Sequence, residues 1–141
     1  MKLRILTTLA AAGLLAASAA QAATEKFAAT LSGDQEVPAN STAGKGKVEA
    51  TLDTGTKTFS YKITYSGLTG PAMAAHFHGP AAPGANAPPV VPISHPSSPT
   101  SGTATLTDAQ IADLEAGKWY FNLHTAANPG GEIRGQIQAK K

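Results

Sequence analysis

The chain has 141 residues, no cysteine and a formal net charge of +2 at pH 7, with His taken as neutral. The lack of cysteine excludes a disulfide framework and any thiolate metal site. Charged residues make up 14% of the chain and form neither a basic patch nor an acidic run, which gives no reason to expect a nucleic-acid partner.

The N-terminal segment has the three regions of a secretory signal peptide. Lys2 and Arg4 precede an apolar run over residues 5–17, and Ala20-Gln21-Ala22 follows as a small-residue cleavage site. That run is shorter than the roughly 20 apolar residues needed to cross a bilayer. We therefore predict that residues 1–22 are a signal peptide rather than a membrane anchor.

Cleavage near Ala22 leaves residues 23–141, a length that suits one domain. Lys2 and Arg4 leave with the signal peptide, so this domain has nine Lys or Arg residues against nine Asp or Glu residues. Its formal charge is balanced. We predict a periplasmic or secreted protein whose mature form has no membrane anchor.

Short strand-like segments separated by turn residues fill the domain. Alternating apolar and polar residues in the second and third segments predict a β-hairpin around Asp53-Thr54-Gly55. The predicted strands, in chain order, are Phe27–Leu31, Gly46–Leu52, Thr58–Tyr65, Met73–His78, Gly102–Leu106, Lys118–Thr125 and Glu132–Ala139.

Two other segments complete the predicted elements. Residues 79–99 are dense in Pro, Gly, Ala and Ser, which predicts a long loop that is either functional or mobile. Thr107 as N-cap with Gln110 in the capping-box position predicts one short helix that ends near Gly117. Seven or so short strands with one helix predict an all-β fold, an antiparallel Greek-key sandwich or barrel.

Three of the four histidines lie in strand-like segments. His76 and His78 are two residues apart, so both imidazoles point to one face of their strand, with Phe77 on the other. His124 ends a strand in which Tyr120, Asn122 and His124 share a face. If the two strands are neighbours, three imidazoles meet at one site. Imidazole binds copper, zinc, iron and nickel, so the pattern does not choose the metal.

Other residues are weaker candidates for the same site. His95, in the long loop, is either a solvated residue or a fourth ligand delivered when the loop folds over the site. Met73 is expected in the core, with a soft thioether contact to Cu(I) as the alternative.

A polar face on the last strand supplies further candidates. Glu132 and Arg134 are two residues apart, and an ion pair between them could orient a metal-bound His or contact an anion; the alternative is an ordinary solvated face. Glu36 either reaches the site or caps a turn. Gly130 and Gly131 before the strand predict a tight connection with positive φ.

The chain resembles the CHRD domain, named for its occurrence in chordin, a secreted growth-factor antagonist, and widespread in exported bacterial proteins. The resemblance covers nearly the whole mature chain and implies a fold more firmly than an activity. The segments that carry it are Gly33–Pro38, Ala75–Pro80, Leu114–Gly117, Tyr120–Thr125 and Pro129–Ile137.

The histidine pattern is also similar to that of copper/zinc superoxide dismutase. That resemblance implies that His76, His78 and His124 are copper ligands, that His95 is the loop ligand and that Arg134 guides anions. The chain departs from that family because it lacks the cysteine pair and the loop cluster of zinc-binding His and Asp. The resemblance therefore implies a Greek-key sandwich and a copper-type site more than dismutation.

The sequence favours an exported protein that binds a transition metal through His76, His78 and His124, with copper first and zinc as the alternative. Its role would be copper binding, copper handling or redox chemistry at copper. Two alternatives stay open: an interaction module that contacts a protein or polysaccharide through the long loop, and an enzyme of the superoxide dismutase kind. The sequence favours a protein that is not an enzyme; if it is one, we expect a copper-dependent oxidoreductase of the superoxide dismutase type.

Overall fold

The computed structural model describes residues 21–141. The predicted signal peptide, residues 1–22, lies outside the described residues except for its last two and stays a prediction. Among the residues described, none of the helices combines the length and the apolar character that a bilayer crossing requires.

Nine strands and one short α-helix make up the described part of the chain. A single 3-10 turn at Gly33–Gln35 follows the first strand, and α1 spans Asp108–Glu115. The strands are β1 Thr24–Ser32, β2 Lys45–Asp53, β3 Thr58–Ser66, β4 Ala74–His78, β5 Pro89–Pro92, β6 Thr100–Thr105, β7 Tyr120–His124, β8 Ile133–Gln136 and β9 Gln138–Ala139.

The strands form one antiparallel sheet in the order β5-β4-β7-β8-β1-β2-β3-β6, with β9 paired to β1. β1, β2 and β3 form a meander, and β2 pairs with each neighbour over nine residues. Long-range pairing of β3 with β6 and of β4 with β7 then wraps the sheet into a nearly closed, barrel-like structure. The predicted all-β fold with one short helix is confirmed.

The structure departs from the predicted elements at two places. The segment predicted as a loop, residues 79–99, contains β5, which pairs with β4. Its two valines are flanked by prolines, which obscured the strand in the sequence; prolines are tolerated here because β5 lies at the sheet edge. The last predicted strand divides into β8 and β9, because the Ile137 backbone N–H donates to the Trp119 carbonyl between them.

The helix begins as the sequence predicts. The Thr107 side chain accepts from the Gln110 backbone N–H, and the Gln110 side chain accepts from the Thr107 backbone N–H. This reciprocal capping box satisfies two backbone donors that an isolated helix end leaves unpaired. Leu114 is fully buried and Ile111 packs against the core, as expected.

Aromatic side chains form the centre of the core. Phe77 contacts Phe121 at a ring-centroid distance of 4.9 Å and Phe59 at 5.1 Å, and Trp119 lies 5.6 Å from Phe59. Met73 is an exception to the expectation from sequence: 68% of it is exposed. It precedes the first residue of β4, so the alternation that buries Ala75 and Phe77 does not extend to it.

We expect Phe77→Ala to lower the free energy of unfolding by about 3–5 kcal/mol, because it leaves a cavity among packed aromatic rings. Urea unfolding followed by tryptophan fluorescence measures the change. Ser101→Ala, on the exposed face of β6, is the control and should change stability little. Equal stability of Phe77→Ala and the wild type would contradict this account of the core.

Candidate metal centre

The antiparallel register of β4 and β7 brings three histidines together. His78 lies opposite Tyr120, His76 opposite Asn122, and Ala74 opposite His124. Because side chains alternate along a strand, all of these project from the face opposite Phe77 and Phe121. The condition on which the sequence-based site depended, that the two strands are neighbours, is met.

One ring nitrogen from each of His76, His78 and His124 lies within 4.8 Å of the other two. We call these three residues the histidine group. The ring centroids are 5.4 Å apart for His76 and His78, 5.3 Å for His76 and His124, and 6.5 Å for His78 and His124. Three imidazole nitrogens at such separations can converge on one metal ion after small rotations of the rings.

One hydrogen bond of His124 decides which of its ring nitrogens is free to bind a metal. Nδ1 lies 2.9 Å from the Pro129 carbonyl oxygen, which can only accept, so Nδ1 carries the proton. Nε2 then holds a lone pair, and it is buried with no hydrogen-bond partner. A backbone carbonyl that fixes the tautomer of a histidine in this way is the usual support of a metal ligand.

His76 contributes a second unpartnered nitrogen. Its Nδ1 is buried and forms no hydrogen bond. Buried polar atoms are nearly always paired, because an unpaired one loses its hydration without replacement. Two unpaired imidazole nitrogens in one group are therefore explained most simply as ligand atoms.

Both ring nitrogens of His78 have hydrogen-bond partners. Nδ1 donates to the Ala87 carbonyl at 2.9 Å, and Nε2 lies 2.9 Å from the Asn122 side-chain oxygen. If the Asn122 amide is turned the other way, it donates to a neutral Nε2. In either orientation, Asn122 occupies the His78 nitrogen that a metal would need, so metal binding must displace this amide.

The electrostatics of the group favour neutral imidazoles. Burial lowers the pKa of His76, and the neighbouring His124 and His78 lower it further. Burial also lowers the pKa of His78, against the opposing effect of its hydrogen bonds. Neutral imidazole is the form that binds metals, so protons compete for these two residues only below the ordinary His pKa of about 6.5.

The His76 and His124 side chains reach the surface, although His76 Nδ1 and His124 Nε2 are themselves buried. His78 is buried beneath the loop that carries Ala87, whereas His76 and His124 are only partly buried. An ion held by these three side chains would have room to bind water or another molecule as well.

Two other residues that the sequence offered as ligands, His95 and Met73, do not belong to the histidine group. His95 is exposed, in the segment after β5, and is not one of the three grouped residues. The Met73 backbone N–H donates to the His124 carbonyl at 2.8 Å, while its side chain is exposed. Their roles as ligands stay predictions.

Glu132 is completely buried and holds loops together. Its carboxylate accepts hydrogen bonds from the Thr42, Thr69 and Thr125 hydroxyls, the Asn128 amide and the Thr69 backbone N–H. Burial alone would raise the pKa of Glu132, but the bonds from these threonines outweigh it and lower the pKa to about 2. The partners of Glu132 thus differ from those of Arg134, and the ion pair suggested by their spacing is not formed.

Arg134 is also buried, with 2% of it exposed. Its guanidinium donates to the Asn86 side-chain oxygen at 2.9 Å and to the Ala85 carbonyl, and it lies 3.5 Å above the centre of the Tyr120 ring. These contacts leave little of the guanidinium open to an incoming anion.

Glu36 is buried, and 5% of it is exposed. Burial raises its pKa to about 7, although the Arg134 charge and a hydrogen bond from Asn122 oppose the rise. Its Oε1 has no hydrogen-bond partner. Gly131 has the predicted positive φ, +131°, and a Cβ there would overlap the Glu36 carboxyl group.

The sequence missed the residues that orient the histidines. Asn122 and Tyr120 share the face of His124 in the alternating strand, and that pattern was the available signal for them. No sequence signal marks the Ala87 and Pro129 carbonyls, because any residue supplies a carbonyl and only the loop conformation places it.

We expect Glu132→Gln to lower the free energy of unfolding by on the order of 3 kcal/mol, because the amide puts an N–H2 group in place of one carboxylate oxygen, opposite donors that this oxygen had accepted from. Exposed Glu115→Gln is the matched control. The lowered pKa of Glu132 gives stability that is complete above the unfolded-state value of 4.5 and is lost as the pH falls towards about 2.

Chemical denaturation at pH 7 and pH 3 therefore tests the role of Glu132. The wild type should lose more stability on acidification than Glu132→Gln does. Equal losses in the two proteins would show that this carboxylate does not carry the assigned interactions.

Comparison with known proteins identifies a family for this chain but no individual relative. Neither the curated proteins nor the solved structures contain a match to this chain. Residues 27–137 match the family model of the CHRD domain, from β1 to the residue after β8. That match covers most of the sequence, and the protein therefore belongs to the CHRD domain family.

Proposed function

We propose that this protein is exported and binds copper through His76, His78 and His124, in the periplasm or outside the cell. Its role is copper binding or handling, with redox chemistry at the ion as a further capability of an accessible site. Export is inferred from the signal-peptide features of residues 1–22.

The observation that carries the proposal is the pair of buried, unpartnered nitrogens, His76 Nδ1 and His124 Nε2, beside a third imidazole. A purely structural role for these side chains would leave two buried polar atoms unsatisfied. A shared metal ion satisfies both and explains why the Pro129 carbonyl fixes the tautomer of His124.

The donor set supports copper. Nitrogen ligands disfavour magnesium, calcium and manganese, which prefer oxygen, and the group contains neither a thiolate nor a carboxylate. Among divalent ions that accept imidazole, Cu(II) binds a given site more tightly than Zn(II) does. Zinc is therefore the competitor that a binding experiment must include.

We expect the mature protein to hold about one copper ion per chain after dialysis, and the His76→Ala, His124→Ala double variant to hold none. Elemental analysis and titration with Cu(I), Cu(II) and Zn(II) measure this. His95→Ala tests the loop histidine separately: because His95 is exposed and outside the group, this variant should retain the ion.

A folded protein that takes up no stoichiometric metal would overturn the proposal. The histidines would then be structural, and the segment of residues 79–99, which contains β5, would be the place to look for a protein or polysaccharide partner. Circular dichroism of the double variant separates loss of ligands from loss of fold.

We expect copper affinity to be nearly constant from pH 8 to pH 6.5 and to fall by more than about tenfold between pH 6.5 and pH 5. The fall occurs in the acidic range because burial lowers the pKa of His76 and His78, so that protons displace the ion only there. Competition with a chelator of known pH dependence measures the affinity. An affinity that is unchanged at pH 5 would contradict histidine ligation.

A further inference from the structure

Tyr120 on β7 and Arg134 on β8 form a stack with His78, a member of the histidine group. The His78 and Tyr120 rings are parallel, with an interplanar angle of 5° and centroids 4.6 Å apart. The Arg134 guanidinium lies 3.5 Å from the centre of the same Tyr120 ring. Because β4 and β8 flank β7 on opposite sides, imidazole and guanidinium contact opposite faces of the phenol.

The same residues fasten the loop that holds His78. Arg134 donates to Asn86 and Ala85, while the Tyr120 hydroxyl bonds to the backbone N–H and carbonyl of Ala87. The Ala87 carbonyl in turn accepts from His78 Nδ1. The stack and the loop together fix both the plane of the His78 ring and the direction of its Nε2.

The stack also places a charge near the site. Among the described residues the ion pairs are Lys47–Glu49 and Lys57–Asp108, so the buried Arg134 has no carboxylate in contact. The three imidazoles add no negative charge, and Glu132 is committed to its threonine partners. Glu36 interacts with the Arg134 charge, but burial raises the pKa of Glu36 to about 7, so its carboxyl is only partly ionised near neutral pH. A fixed positive charge in a partly desolvated site disfavours a dication more than a monocation.

We propose that Arg134, acting through Tyr120, is a positioning residue for His78 and the fixed charge that makes the site favour Cu(I) over Cu(II). This inference rests on the proposed copper binding and adds the oxidation state of the ion. The cation–π contact holds the guanidinium in place while its hydrogen bonds hold the loop.

The test compares Cu(I) and Cu(II) affinities and the reduction potential of the bound ion in the wild type, Arg134→Gln, Arg134→Lys and Asn86→Ala. Arg134→Gln should reduce the preference for Cu(I) about tenfold, which lowers the potential by about 59 mV for one electron. Arg134→Lys keeps the charge and should restore most of the preference. Asn86→Ala loosens the loop without removing charge, so both affinities should weaken while their ratio stays constant.

A folded, copper-binding Arg134→Gln variant with the wild-type ratio and potential would overturn the inference and leave the proposed function intact. A wild type that binds no copper would overturn the proposed function itself. If Arg134→Gln does not fold, Glu36→Gln at pH 8 supplies the test, because it removes a negative charge that partly offsets the Arg134 charge. It should shift the ratio further towards Cu(I), and an unchanged ratio or a shift towards Cu(II) would overturn the inference.

Discussion

The position of the site depends on the packing of Phe77 in the aromatic core. Phe77 is inserted among Phe59, Phe121 and Trp119, and this contact fixes which face of β4 points inward. Since alternation leaves no choice for the neighbouring residues, His76 and His78 must project outward. A shift of one residue in the register of β4 would bury both imidazoles in the core and expose Phe77. The packing of Phe77 therefore determines both the core and the position of the histidine group.

A second, polar layer covers the outer face of β4, β7 and β8. These strands are largely buried on both sides, since loops lie over the face that a simple barrel would expose. Two buried charges hold those loops independently: Glu132 gathers the segments that carry Thr42, Thr69 and Thr125, and Arg134 anchors the segment around Asn86. The histidine group lies between them, so its surroundings are largely set before any ligand arrives.

Much of this arrangement could be predicted from local patterns. Period-two alternation gave the hairpin of β2 and β3 and the shared face of His76 and His78, and the capping residues gave α1. The partners of the histidines could not be predicted, because they depend on long-range loop conformation. Glu132 shows the limit: its position beside Arg134 suggested an ion pair, yet five donors from distant segments compete successfully for its carboxylate. The proline-flanked β5 could not be predicted because this segment becomes a strand only by pairing with the edge of β4.

The ligand spacing is set by a hydrogen-bonded ladder between β4 and β7 rather than by a flexible loop. The paired strands form a rigid support, so the distances between the ligand nitrogens should change little from one metal ion to another. Binding should then order little of the chain. Ions are then distinguished by how well their bond lengths and preferred angles match a fixed opening. Which metal ion is bound should therefore depend on how well its bond lengths match the spacing of the three nitrogens. Substitutions in the surrounding loops should change how easily an ion reaches the site more than they change that spacing.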